Sequence, residues 1–236
     1  MGEILSRALS DNGKVFIPAF ALGRSQELIY EMDRLFSEPQ WQDLFPGLTK
    51  KIPVFIDSPL GTEITKIYSK LSEYWDKEAK ELLKRGDHPI DFDHLYIVES
   101  HHHHKKLLEM EGPAVIIAGS GMCHGGRIIN HLKNGLDQAE NDVLFVGYQA
   151  HGTPGRDILK YSKKKNGYVR INDELIDIKA RIYQLSAYSA HADQKDLVEW
   201  VSQIDEKPGE IKLVHGEDAA QQTLRKILIR RKYSVC

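Results

Sequence analysis

Five short apolar runs, each followed by a polar stretch with helical periodicity, constrain this chain more than any other feature. They are Val15-Phe16-Ile17, Pro53-Val-Phe-Ile56, Leu95-Tyr-Ile-Val98, Ala114-Val-Ile-Ile-Ala118 and Val143-Leu-Phe-Val146. All have strand length and end at breakers or polar residues. Between them, Leu28, Ile29, Met32, Leu35 and Phe36 recur at the helical period, as do Ile64, Ile67, Tyr68 and Leu71. Regular β-α alternation of this kind predicts an α/β fold with a doubly wound, mostly parallel sheet. A first helix carrying Ile4, Leu5, Ala8 and Leu9 should stop at Asn12-Gly13.

The pattern changes after Ser162. Lys163-Lys-Lys-Asn-Gly167 is a charged, breaker-rich bridge, and residues 168–178 read as a hairpin turning at Asn172-Asp173. We therefore expect one domain over residues 1–162 and a second segment over 163–236. The second carries two histidine loops, Ser189-Ala-His191-Ala-Asp193 and Val214-His215-Gly-Glu217, each placed after a strand-like run and before a helix. Such loops at the carboxyl ends of strands are where α/β sheets bind ligands, and imidazole is the commonest metal ligand. The plainer reading makes both histidines ordinary loop residues, with Asp193 capping the helix that begins at Gln194.

With 41% hydrophobic and 28% charged residues the chain can build a core, and its formal charge of −2 offers no global basic field. Binding to nucleic acid would have to come from local patches. Cys123 and Cys236 are too few for a disulfide framework, which suggests a reducing, cytoplasmic setting. No apolar run approaches the ~20 residues of a membrane helix, and the first residues do not resemble a secretory signal.

Local motifs add candidates. Gly119-Ser-Gly-Met-Cys-His-Gly-Gly126-Arg127 lies between a strand and a helix, the arrangement of a phosphate cradle whose helical N–H groups favour anions. Its spacing departs from the dinucleotide fingerprint, because His124 stands where the third glycine belongs, and it has no P-loop Gly-Lys-Ser/Thr. A nucleotide-cofactor enzyme built on this loop, or a tight βα turn, remains a rival reading. Arg24 opens a helix, where its charge opposes the dipole, so it meets an anion, a carboxylate or solvent. Asp57-Ser58 reads first as a turn initiator before Pro59 and second as support for a site. His101 to His104, treated as extended chain whose side chains point to alternate sides, make at most a weak, exposed metal-scavenging patch.

Together these segments resemble the β-CASP branch of the metallo-β-lactamase superfamily, RNA-processing zinc nucleases, in its bacterial form. The resemblance rests on Lys14-Val-Phe-Ile-Pro-Ala-Phe-Ala-Leu-Gly-Arg24-Ser-Gln-Glu, Val54-Phe-Ile-Asp-Ser-Pro59, Ala118-Gly-Ser-Gly-Met122, Gly147-Tyr148 and the two histidine loops, in the family's order. It implies that His215 is a zinc ligand and that His191 contacts the scissile phosphate or moves a proton. It puts Arg24, Ser120, Gly121, Met122 and Arg127 in the domain that clamps RNA, with Asp57, Ser58, Asp193 and Glu217 in support. In such enzymes two zinc ions activate a hydroxide for attack on the phosphodiester.

One departure matters. The family's metal site is built mainly by an early His-x-His-x-Asp-His motif, and this sequence contains none. A dinuclear site needs several protein ligands, and only His215 can be assigned. The resemblance therefore implies a β-CASP clamp (1–162) followed by the C-terminal part of a metallo-β-lactamase αββα domain (163–236). It implies RNA as partner, zinc held at most partially, and an N-terminal metallo-β-lactamase half supplied in cis or trans. Alone, such a chain should be inactive, and its tail should be less ordered or bury its unpartnered face in a homodimer. A non-catalytic RNA-binding or scaffold module is the alternative.

Overall fold

A computed structural model describes residues 1–49, 52–185 and 192–236. Its elements run α1 (Gly2–Asp11), β1 (Lys14–Pro18), α2 (Arg24–Ser37), α3 (Pro39–Leu44), β2 (Val54–Ile56), α4 (Pro59–Lys70), α5 (Lys77–Lys84), β3 (Leu95–Ile97) and α6 (His101–Glu109). They continue with β4 (Ala114–Ala118), α7 (Ile128–Gly135), β5 (Asp142–Phe145), α8 (Pro154–Tyr161), β6 (Tyr168–Ile171), β7 (Glu174–Asp177), β8 (Arg181–Gln184), α9 (Gln194–Ser202) and α10 (Asp218–Arg230). All five apolar runs are strands, as expected. The chain forms two compact units, Met1–Tyr188 and Ser189–Cys236.

The first unit holds a six-stranded, wholly parallel sheet in the order β3-β2-β4-β1-β5-β8. Its sixth strand, β8, comes from beyond residue 162 and pairs with β5, Val143 opposite Ile182. Successive strand residues face opposite sides. Val15, Ile17, Val54, Ile56, Val115, Ile117 and Leu144 therefore join one core with Ile4 and Leu5 of α1 and Leu28, Ile29 and Met32 of α2. Phe16, Ile116, Ala118, Val143 and Phe145 join the other, against Leu107 of α6, Ile128 and Leu132 of α7 and Ile158 of α8. Burial on both faces explains why these strands are apolar at nearly every position rather than alternating.

The turns follow from their residues. Asn12 ends α1 in the left-handed region (φ 62°) and its N–H reaches the Ala8 carbonyl, a C-cap that asparagine tolerates. Asn172 and Asp173 (φ 47° and 66°) turn the β6–β7 hairpin, since a type I′ turn needs two positive φ values. In the second unit, Val198 and Val201 of α9 pack on Leu228 of α10 and on Val235, which bridges to Ile211. Among the described residues no helix is long and apolar enough to cross a membrane.

Strand order positions the site. From β1 the chain moves past β4 to β2 through α2 on the first face, and from β4 it moves past β1 to β5 through α7 on the second. Right-handed crossovers require this change of face when the direction of travel reverses. The loops after β1 and β2 therefore part from the loop after β4, which opens a crevice at the carboxyl edge of the sheet.

Phe145 is wholly buried between the sheet and the helices of the second face. Phe145→Ala should destabilise the protein by about 3–5 kcal/mol. Leu22→Ala, at a side chain that is 66% exposed, should stay within about 0.5 kcal/mol. Urea denaturation with unchanged m-values checks both.

Candidate functional site

The crevice is a cleft of about 510 Å³ lined by Ala19, Phe20 and Ala21 after β1, Asp57, Ser58, Pro59 and Leu60 after β2, and Gly119, Ser120, Gly126 and Arg127 after β4. Its walls are mostly apolar. The charge lies at one spot, where Arg127 meets Asp57.

Asp57 is fully buried and accepts hydrogen bonds at both oxygens. Nδ1 of His104 lies 2.5 Å and Nε2 of His131 2.6 Å from Oδ2, while Nη1 of Arg127 donates to Oδ1 at 2.7 Å. The side chain of Asn130 stands 2.9 Å from the other nitrogen of His104, so that nitrogen accepts and Nδ1 carries the proton toward Asp57. Burial alone would raise the Asp57 carboxyl, but the bonds from His131, His104 and Arg127 outweigh it and hold the group below the usual carboxylate range. For His131, burial lowers the pKa more than the bond to Asp57 raises it, so the ring stays neutral. Arg127 is the counter-charge.

Arg127 also donates from Nη1 to the Val98 carbonyl at 2.9 Å. Both of its hydrogen bonds among the described residues run through that one nitrogen, and Arg127 lines the cleft with its side chain 17% exposed. A guanidinium held on one side and open on the other is suited to an oxyanion.

Several N–H groups of the glycine loop bond within it: Ser120 N–H donates to Gly125 O and Cys123 N–H to Ser120 O, while Ile128 N–H at the start of α7 donates to Gly119 O. Ser120 Oγ accepts from the N–H groups of His124 (3.0 Å) and Gly125 (3.3 Å). The glycines make this compactness possible, for a Cβ on Gly126 (φ 75°) would fall 2.4 Å from the Gly119 carbonyl oxygen. Gly121 accepts from Gln149 Nε2 at 2.9 Å, and the Met122 carbonyl from the Gly155 N–H at 3.3 Å. Four of the loop's own N–H groups, those of Ser120, Cys123, His124 and Gly125, are thus bonded within it. The loop builds the cleft wall and starts the helix that carries Arg127 and His131.

The turn reading of Asp57-Ser58 is carried by Ser58, whose side chain accepts from the Gly61 N–H and caps α4. The four histidines do not form an extended patch. They are the first turn of α6, so His104 shares the inner face with Leu107 and is buried, while His101, His102 and His103 are exposed. Arg24 meets a carboxylate, Glu27, one turn along its own helix.

The second histidine loop lies in the other unit. His215 is exposed at φ 67° and borders a cavity of about 710 Å³ with Val214, Glu217 and Leu224. Asp193 forms a capping box with Asp196, as the plainer reading has it. His191 lies outside the described residues. The structure thus gathers Asp57, Ser58, Ser120 and Arg127 in one cleft, with Gly121 against the Phe20 ring. Arg24 is not among the residues lining that cleft.

Asp57, His104 and His131 bring metal-ligating atoms within 4.8 Å of one another, the set among the described residues that does so. They do not fit a zinc centre as arranged. Zinc needs a lone pair from each imidazole at about 2.0–2.1 Å, whereas both rings direct N–H groups at the carboxylate. Arg127 occupies its other oxygen, so a dication would stand beside a guanidinium.

Sequence reading missed His131, Asn130 and Phe20. His131 had one signal, a polar residue inside the apolar stripe Ile128, Ile129 and Leu132, four residues after Arg127.

Comparison with known proteins identifies family matches over two stretches of the chain. Residues 25–158 match a family model described as the Beta-Casp domain, and residues 175–235 match the Zn-dependent metallo-hydrolase RNA specificity domain. The chain is 35% identical over 235 residues to Ribonuclease TTHA0252 of Thermus thermophilus, an alignment that covers 99% of this chain and 50% of that protein. It is 30% identical over 241 residues to Transcription termination factor FttA of Methanocaldococcus jannaschii, covering 98% of this chain and 36% of that one. The same factor of Methanosarcina mazei is 30% identical over 223 residues, 92% of this chain and 33% of its own length. The chain spans half or less of the length of these relatives.

Asp57→Asn removes the counter-charge of a largely buried guanidinium and should destabilise the protein by about 3 kcal/mol. The lowered pKa of His131 also makes stability fall as pH drops below about 6.5, because the unfolded chain then binds the extra proton. His131→Gln should flatten the decline between pH 7 and 5 in denaturant titrations. An unchanged slope would contradict the buried, neutral ring.

Proposed function

We propose, from the premise that this chain belongs to the Beta-Casp family, that it is the RNA-holding part of a metal-dependent ribonuclease. The observation that carries this reading is Arg127, fixed from behind by Asp57 and open toward a cleft at the switch point of the sheet. Each nucleotide of RNA brings a phosphate with two exposed oxygens, a partner that suits a guanidinium. The match of residues 175–235 to an RNA specificity domain, and the similarity to a Thermus ribonuclease, favour RNA over a dinucleotide. The loop's departure from the dinucleotide fingerprint at His124 weighs against the cofactor reading.

Phosphodiester hydrolysis belongs, in this proposal, to a complete enzyme with ligands beyond the Asp57 cluster. We assign His215 to the zinc ligands, His191 to the reacting phosphate, and Asp193 and Glu217 to holding those loops. Ser120, Gly121, Met122 and Ser58 shape the RNA cleft, with Arg24 at its margin. We keep a division between clamp and tail near residue 162 as part of this proposal, with the strand at 181–184 packed into the sheet of the first unit. The missing ligands would come from a metallo-β-lactamase half in cis or trans, and a homodimer is the other way to cover the tail. A buried Cys123, its thiol pushed up to about 12 by burial, is unreactive and suits a cytoplasmic setting.

Incubation of this chain with labelled single-stranded RNA, with zinc or manganese and then with chelator, should give binding without chelator-sensitive cleavage. Binding should weaken linearly in log salt, and Arg127→Gln should lower the slope by about one. Adding a separately produced metal-bearing half should bring cleavage. If it does not, while RNA still binds, the non-catalytic reading is correct.

A further inference from the structure

The walls of the cleft raise a question that Arg127 does not answer. Ala19, Phe20, Ala21, Pro59 and Leu60 are apolar, and a phosphate alone would leave them without a partner. Phe20 and Leu60 are 50% and 65% exposed. The Phe20 ring is seated from behind on Gly121, where a Cβ would come 3.0 Å from two of its carbons and 3.2 Å from a third, so a larger residue there would press on the ring. Position 20 is also anchored by its backbone, since its carbonyl accepts from both Oγ (2.8 Å) and the N–H of Ser25. One ring is thus held by a glycine and a helix start, half its surface faces outward, and it shares a cleft with an open guanidinium.

We propose that Phe20 is a nucleobase-stacking subsite, so that the cleft takes one nucleotide with its phosphate on Arg127 and its base against Phe20. The proposal rests on the RNA-holding function and specifies how that site recognises its ligand. An aromatic ring set among apolar residues reads the face of a base rather than its edge. The cleft therefore prefers unpaired, stackable nucleotides and discriminates little between sequences. A volume of about 510 Å³ is in the range of pockets that enclose a small organic ligand.

The test uses the 236-residue chain, a single-stranded RNA 12-mer carrying 2-aminopurine, and a matched 12-mer with abasic positions. Wild type should bind the intact oligomer at least tenfold more tightly than the abasic one and quench 2-aminopurine fluorescence on binding. Phe20→Leu keeps an apolar side chain against Gly121 but should lose about tenfold in affinity and most of the quenching, with the salt slope unchanged. Phe20→Trp should retain both. Equal binding of intact and abasic RNA by wild type overturns the stacking subsite without any variant having to fold. If that equality accompanies weaker binding by Arg127→Gln, the RNA-holding function survives and only the stacking inference falls. If wild type binds neither oligomer, both fall.

Discussion

One buried carboxylate organises the functional end of this molecule. Asp57 draws in a donor from α6, one from α7 and one from the residue that precedes α7, so the ends of β2, the histidine helix and the glycine loop are tied at a single point. An ionised carboxylate without partners could not remain in that interior, and its three donors have few other partners there. The network is self-consistent because burial keeps the His131 ring neutral and Arg127 supplies the balancing charge. It also has a direction. The histidines approach from the buried side, which leaves the guanidinium at the boundary with the cleft.

The topology explains why that boundary is a cleft. Reversal of the strand order beside β4 sends neighbouring loops to opposite faces of the sheet, and the space between them cannot be filled by either crossover helix. The glycine loop after β4 closes on itself and forms one wall of the cleft, beside Arg127. Apolar residues after β1 and β2 complete the enclosure, which gives the site one charged spot and a broad surface suited to a planar ligand.

Much of the fold was legible because burial on both sheet faces writes itself into the chain as runs such as Ala114-Val-Ile-Ile-Ala118, and Asn172-Asp173 announced its hairpin through the backbone conformation that it tolerates. Asp57 was misjudged because a residue before Ser-Pro reads as a turn former, and only the third dimension shows α6 and α7 converging on it. His104 was misread because its neighbours suggested extended chain, whereas Ser100 caps a helix there and turns the fourth histidine inward. His131 gave only a polar interruption in a stripe, which periodicity discards as noise. Phe20 was unremarkable in sequence, since nothing local reveals that Gly121, a hundred residues later, backs its ring.

The central claim is that RNA enters the cleft bounded by the loops after β1, β2 and β4. Photo-crosslinking of the chain to single-stranded RNA containing 4-thiouridine, followed by peptide mapping, tests it directly. The account predicts crosslinks within residues 19–22, 57–61 and 119–127, competed by unlabelled RNA. Crosslinks confined to residues 212–224, around the cavity that His215 borders, would contradict it.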